Sequence, residues 1–309
     1  MYVIYNIDKS SIMYTLIEYT DIREQLTDFN LDESTINNIK KLTADLGIDI
    51  TQKPKLQVKK ERTYKWTKQE PFKATELIKK EGIEELLDEF RGILNKLSST
   101  NYDNLKESIL NCIDNILKLE EYEETIKYDK IMERFNDVIK NNRFFTDLYV
   151  NLFILMTERY IYFENYHSSF LELYYKLLDN IEYNDPDEDY DKYCVSNKTN
   201  EQRKTILTFI IKCIPVEIYS FNELIQIMTE LRNRLDLKKM EKEFIHINEE
   251  ITENISVLMT EGKDLIMKEV CKYELIEQMK AYSQMKAKEC GGFSSRMRFK
   301  YMDIIELYK

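Results

Sequence analysis

Glycine and proline are scarce in this chain, with six and four among 309 residues. All-β and dinucleotide-binding folds need many more turn-forming residues than that, so a helical protein is the natural reading. Histidine is rarer still, with only His167 and His246. Each falls inside a predicted helix without a second ligand three or four residues away, which reads as structural or solvated rather than catalytic. The five cysteines (Cys112, Cys194, Cys213, Cys271, Cys290) are odd in number, widely spaced and free of any CxxC pair. That pattern suits free thiols in a reducing compartment and argues against both zinc and a disulfide framework. No run reaches the 18 or more apolar residues of a membrane span, and "MYVIYNIDKSS" lacks the basic and apolar regions of a signal peptide. A soluble, cytoplasmic protein with no membrane association is expected.

Catalytic motifs are missing as well. There is no GxxxxGK[ST], GxGxxG, HExxH or GxSxG. "TEGKDL" contains Gly-Lys-Asp without the upstream glycine and strand that a phosphate loop needs. The acidic cluster from Asp185 to Asp191 misses the glycine and terminal glutamate of an EF-hand loop. The chain therefore reads as a non-enzyme with no metal and no cofactor. Its formal charge of -11 excludes a general nucleic-acid coat, since phosphate binding relies on lysine and arginine, and leaves room only for a local basic patch.

What is present is apolar periodicity. Hydrophobic residues make up 43% of the chain, enough to fill a core. Residues 1–60 stand apart as an N-terminal extension: a β-prone start, an amphipathic piece near 12–30, a helix-like piece near 33–46, and then "DITQKPKLQVKKERTYKW", which reads as a linker. From about residue 76 the helical signal is nearly continuous. Leu86, Phe90, Ile93, Leu94 and Leu97 form one stripe, Ser98 to Thr100 interrupt it, and Leu105, Ile109, Cys112, Ile113 and Ile116 form the next. Further stripes follow near 129–140, 145–165 and 168–182. Residues 184–202, with six acidic residues, a proline and no apolar period, read as an exposed acidic loop. Helical signal then resumes to the end. The spacing predicts an all-α fold, an α-solenoid of about five antiparallel hairpins of roughly 40–47 residues, the period of HEAT-type repeats.

In the closing segment "GGFSSRMRFKYMDIIELYK", Gly291 and Gly292 are expected to end the preceding helix in the left-handed conformation. Ser294 or Ser295 is expected to cap the next helix, whose buried stripe would be Met297, Tyr301, Ile304, Ile305 and Tyr308. Arg296 and Arg298, two residues apart, cannot share a face. One should brace the preceding hairpin and the other should face solvent or a partner.

Three stretches, in order, carry a resemblance: "FRGILNKLSSTNYDNLKESI" at 90–109, "LMTEGKDL" at 258–265 and "SSRMRFKYMDIIEL" at 294–307. Together they resemble the middle domain of the gamma subunit of eukaryotic translation initiation factor 4, over about 220 residues. "QRKTILTFIIKCIPVEIYSFNELIQIM" is similar to the family's central hairpin, and Trp66 stands where the family carries a tryptophan before its first helix. The resemblance implies that residues 61–309 form a crescent of HEAT repeats that holds both lobes of a DEAD-box RNA helicase and favours its near-closed state. It implies partner-facing roles for Arg91, Asn95, Lys96, Lys263, Arg296 and Arg298. Trp66 would be either an aromatic anchor or a cap on the first hairpin. It also implies contact with mRNA, which in the family a long charged insertion supports; the acidic stretch at 184–202 differs from that insertion. Ending at Lys309, the chain would be a reduced version of the family, minimal or viral. The family's peptide for the cap-binding subunit, a tyrosine followed five residues on by leucine, is absent in strict form. Tyr19, Ile22, Leu26 and Phe29 still share one helical face, either as a ligand for that subunit or as packing within their own domain. Two alternatives stay open: a related adaptor in splicing, decay or nuclear cap binding, and a structural or inhibitory helical-repeat protein with no helicase partner.

Overall fold

The computed structural model describes residues 3–7, 10–14, 32–45, 81–286 and 288–309. The chain divides into two compact units, Met1–Glu76 and Leu77–Lys309.

In the first unit, β1 (Val3–Ile7) and β2 (Ser10–Tyr14) pair antiparallel, with Val3 opposite Tyr14 and Ile7 opposite Ser10. This is where the β-prone start was read. Helix α1 (Glu33–Asp45) follows, its first turn closed by the Thr35 amide donating to the Asp32 carboxylate at 2.6 Å. Trp66, Tyr19, Ile22, Leu26 and Phe29 lie outside the described residues.

In the second unit every regular element among the described residues is helical. The α-helices are α2 (Ile83–Leu94), α3 (Tyr102–Leu117), α4 (Glu124–Ile139), α5 (Thr146–Arg159), α6 (His167–Asp179), α7 (Tyr190–Cys213), α8 (Phe221–Lys238), α9 (Ile245–Glu261), α10 (Lys263–Ile266), α11 (Lys272–Gln284) and α12 (Ser295–Leu307). None of the described helices is long and apolar enough to cross a membrane. Gly82, at φ 65°, turns the chain into α2 in a conformation that side chains rarely adopt. Ile83, Leu87, Phe90, Leu94 and Leu97 are the buried positions of this first segment, so the true stripe lies slightly to one side of the predicted one, with Leu86 and Ile93 half-buried on its flank. In α3 the buried set is Ile109, Leu110, Cys112, Ile113 and Ile116.

Neighbouring helices pack in pairs: α2 with α3, α6 with α7, α8 with α9, and α11 with α12. Across these pairs α3 packs on α5, α5 on α7, α7 on α9 and α9 on α12. At the centre, Phe135, Phe153, Phe170 and Phe209 bring rings from α4, α5, α6 and α7 together at 4.6–6.0 Å, in edge-on, tilted and stacked arrangements.

Two expectations are corrected. The acidic stretch at 184–202 is a loop only as far as Asp189, whose carboxylate accepts the Lys192 amide at 3.0 Å and starts α7 at Tyr190. The first ten residues of α7 have no buried member, so this half of the helix needs no apolar period; burial begins at Asn200. Gly291 and Gly292 do not end a helix either. Helix α11 stops at Gln284, and the two glycines serve a close backbone approach: a Cβ on Gly292 would lie 2.6 Å from the carbonyl oxygens of Lys238 and Glu241. Ser294 does cap α12, accepting the Met297 amide at 3.2 Å, and Met297, Tyr301 and Ile304 are buried beneath it with Ile305 and Tyr308 half-buried.

Candidate partner-binding surface

The sequence-predicted residues fall into two groups. Arg91 is exposed on the last turn of α2, and Asn95 and Lys96 are exposed in the turn that leads to α3. Asn101 holds that turn, donating to the Lys96 carbonyl at 2.7 Å and accepting the Ser98 amide at 2.7 Å. Tyr149 of α5 donates to the Leu94 carbonyl at 3.3 Å, which sets the turn against the first half of α5. Lys263 opens α10 immediately after Gly262 and is half-buried. Glu261, two residues earlier, pairs with Arg143 at 3.0 Å, just before α5. The end of α2 and the end of α9 thus both border the start of α5.

Arg296 and Arg298 lie elsewhere. Arg296 reaches Glu253 of α9 at 3.2 Å, beside Lys300, which pairs with the same carboxylate at 3.1 Å. Eight residues of α9, about 12 Å, separate that glutamate from Glu261. Arg298 turns to the other side and donates to the Ser283 carbonyl in the last turn of α11 at 3.0 Å, satisfying a helix-end acceptor. The two arginines therefore occupy different faces, as their spacing requires. Arg296, tied to α9, is the one that braces the preceding hairpin, and Arg298 fastens α12 to α11 within its own hairpin.

One surface group was missed from sequence. Phe144, in the 3₁₀ turn Arg143–Phe145, is 90% exposed, with its ring edge-on to Phe145 at 5.0 Å. Phe145 is half-buried and anchors the turn, so its neighbour must point outward. The available signal was "NNRFF", two adjacent aromatics directly after a polar turn. Phe144 is next to Arg143 and so close to Glu261. Aromatic residues, phenylalanine included, are enriched at protein interfaces relative to the rest of the surface.

A second feature is a cavity of about 280 Å³ between the 181–189 loop, α7 and α9, with Arg296 of α12 also in its lining. Tyr183 and His246 stack at 3.6 Å, their planes 9° apart, in its wall. Below it Arg203 is fully buried, donating to the Leu177 carbonyl at 2.9 Å and to Asn200 at 3.0 Å. Its Nη1 is 4.0 Å from Glu250, too far for a hydrogen bond, and both Arg203 Nη2 and Glu250 Oε2 are buried without a hydrogen-bond partner. Burial pushes the Glu250 carboxyl above its usual range, against the pull of Lys204 and Arg203.

His246 lies 3.6 Å from Glu249, and His167 is near Phe153, ring to ring at 5.7 Å. Among the described residues no group of three His, Cys, Asp or Glu side chains is arranged to hold a metal ion. No family model matches the chain, and no curated protein matches it.

Proposed function

We propose that this chain is a cytoplasmic translation-initiation scaffold that binds and stimulates a DEAD-box RNA helicase, links it to the cap-binding complex and contacts mRNA, performing no chemistry itself. In this reading residues 61–309 are an α-solenoid of about five HEAT-type hairpins curved into a crescent. The N-terminal face of Tyr19, Ile22, Leu26 and Phe29 docks the cap-binding subunit, and Trp66 anchors one helicase lobe.

One observation supports the reading above others. The three family-like stretches fall, in order, on the end of α2 and the following helix, on the junction of α9 and α10, and on α12. Between them α3, α5, α7, α9 and α12 pack in succession, which supports a stacked array of helices. The exposed Asn95, Lys96 and Phe144, with half-buried Lys263 nearby, make a polar and aromatic rim suited to a protein partner.

A different reading, a structural or inhibitory helical-repeat protein without a helicase, is favoured by the internal bonds that occupy Arg296 and Arg298. Mixing the purified chain with a DEAD-box initiation helicase and following ATP hydrolysis separates the two. A rise in turnover that is lost on Phe144→Ala, with Tm unchanged, is the expected result. No binding and no stimulation across host and self-encoded helicases would overturn the proposal.

A further inference from the structure

We infer that the cavity between the 181–189 loop, α7 and α9 is a receptor for an arginine side chain presented by a partner protein. This does not rest on the helicase reading. At about 280 Å³ the cavity is just below the ~300–1,000 Å³ of small-molecule and cofactor sites, a size for one long side chain.

The charges around it are unequally matched. Arg296 also lines the cavity and is spoken for, held with Lys300 on Glu253 and lying 4.0 Å from Glu249, which faces His246 at 3.6 Å. Glu250 lines the cavity too, and its Oε2 receives no hydrogen bond, its nearest cation being Arg203 at 4.0 Å. A buried carboxylate oxygen without a donor is costly, and a donor-bearing ligand relieves that cost. The rim adds more negative charge from Glu182. A phosphate or nucleic-acid ligand would be repelled there, whereas a cation would be drawn in.

The shape of the wall chooses between cations. Tyr183 stacks on His246 and is 47% exposed, so its ring offers an open surface at the mouth. A guanidinium is planar, stacks on such a ring and carries five donors in a fixed fork, while an ammonium is a compact, strongly hydrated point charge. Asn197 and Asn200 line the same cavity with further polar groups. The occupant that satisfies both the carboxylate and the ring is arginine.

The test uses the full chain, isotopically labelled, titrated with the peptide acetyl-Gly-Arg-Gly-amide while the His246 ring signals are followed by NMR. Saturable shifts are expected, with binding weaker by about tenfold for the lysine peptide and absent for the citrulline peptide. Tyr183→Ala, at an exposed site, should keep the Tm and lose about tenfold in affinity, and Glu250→Gln should lose at least as much. Equal binding of arginine and citrulline peptides, unchanged affinity in both variants, shifts caused only by an oligouridylate RNA, or no shift with any probe would each overturn the inference.

Discussion

The amide of Gly292 donates a 2.9 Å hydrogen bond to the carbonyl of Lys239, fastening the segment before α12 to the end of α8. Buried Asn248 completes the joint, donating to the Lys238 carbonyl at 3.1 Å and to the Gly292 carbonyl at 2.9 Å. A methyl group on Gly292 would press on two carbonyl oxygens at 2.6 Å and on Asn248 Nδ2 at 2.9 Å. Backbone oxygens of packed helices cannot give way as a flexible side chain can. Gly292→Ala is expected to cost about 1–3 kcal/mol, read as a fall in the denaturant midpoint. An unchanged midpoint would refute the close approach.

This joint shows which parts of the fold were legible in the sequence. Ser294 as a cap and the stripe Met297, Tyr301, Ile304 could be read because caps and helical faces are local, set by residues three or four apart. The glycine pair was legible as a break, but its reason was not: its neighbours, Lys238 to Lys242, are some fifty residues distant, and no local rule names them. The exposed half of α7 was read as loop on the same ground, since a helix that buries nothing carries no apolar period. Phe144 was overlooked because exposure is a property of the packed array, and Arg203 because nothing in "NEQRKTIL" says that its arginine faces inward.

Arg203 and Glu250 give the clearest energetic test of that buried site. Arg203→Met leaves Glu250, the Leu177 carbonyl and Asn200 without their cationic neighbour, and removing one partner of a buried pair typically costs about 3–5 kcal/mol. Replacing both groups by apolar ones, Arg203→Met with Glu250→Leu, removes the uncompensated charge. The double variant is therefore expected to be more stable than the single one in urea unfolding. If the double variant is less stable than the unsubstituted protein, the pair is net stabilising and its desolvation is fully offset.

Glu84 ties α2 to α4 through Lys130 at 2.7 Å and Arg134 at 3.0 Å. The hydrogen bond from Lys130, then its charge and that of Arg134, hold the Glu84 carboxyl below the usual carboxylate range against some desolvation. A depressed folded-state pKa means that the unfolded chain binds the proton more readily, so this stability is present above the unfolded value near ~4.3 and is lost as the pH falls through the lowered one. Glu84→Gln should lower the Tm at pH 7 by a small amount, since the carboxylate is partly exposed, and should leave the Tm unchanged at a pH below both values. Equal losses at both pH values would show that packing, not ionisation, is at stake.

The thiols report burial position by position. Cys194 is exposed near the start of α7, whereas Cys112 and Cys213 are buried in α3 and α7. Burial pushes the Cys112 thiol up to about 11, and the Cys213 thiol is also driven upward by burial. Since the thiolate is the nucleophile, these two are protected twice, by access and by protonation. With a disulfide reagent at pH 8, Cys194 should be modified first and Cys112 and Cys213 last, their rate following global unfolding, as peptide mapping of a time course would show. Denaturant that leaves the fold intact should speed Cys194 little. Rapid labelling of Cys112 under the same conditions would mean that α2 opens locally, because the thiol packs on that helix and donates to its Leu86 carbonyl at 3.3 Å.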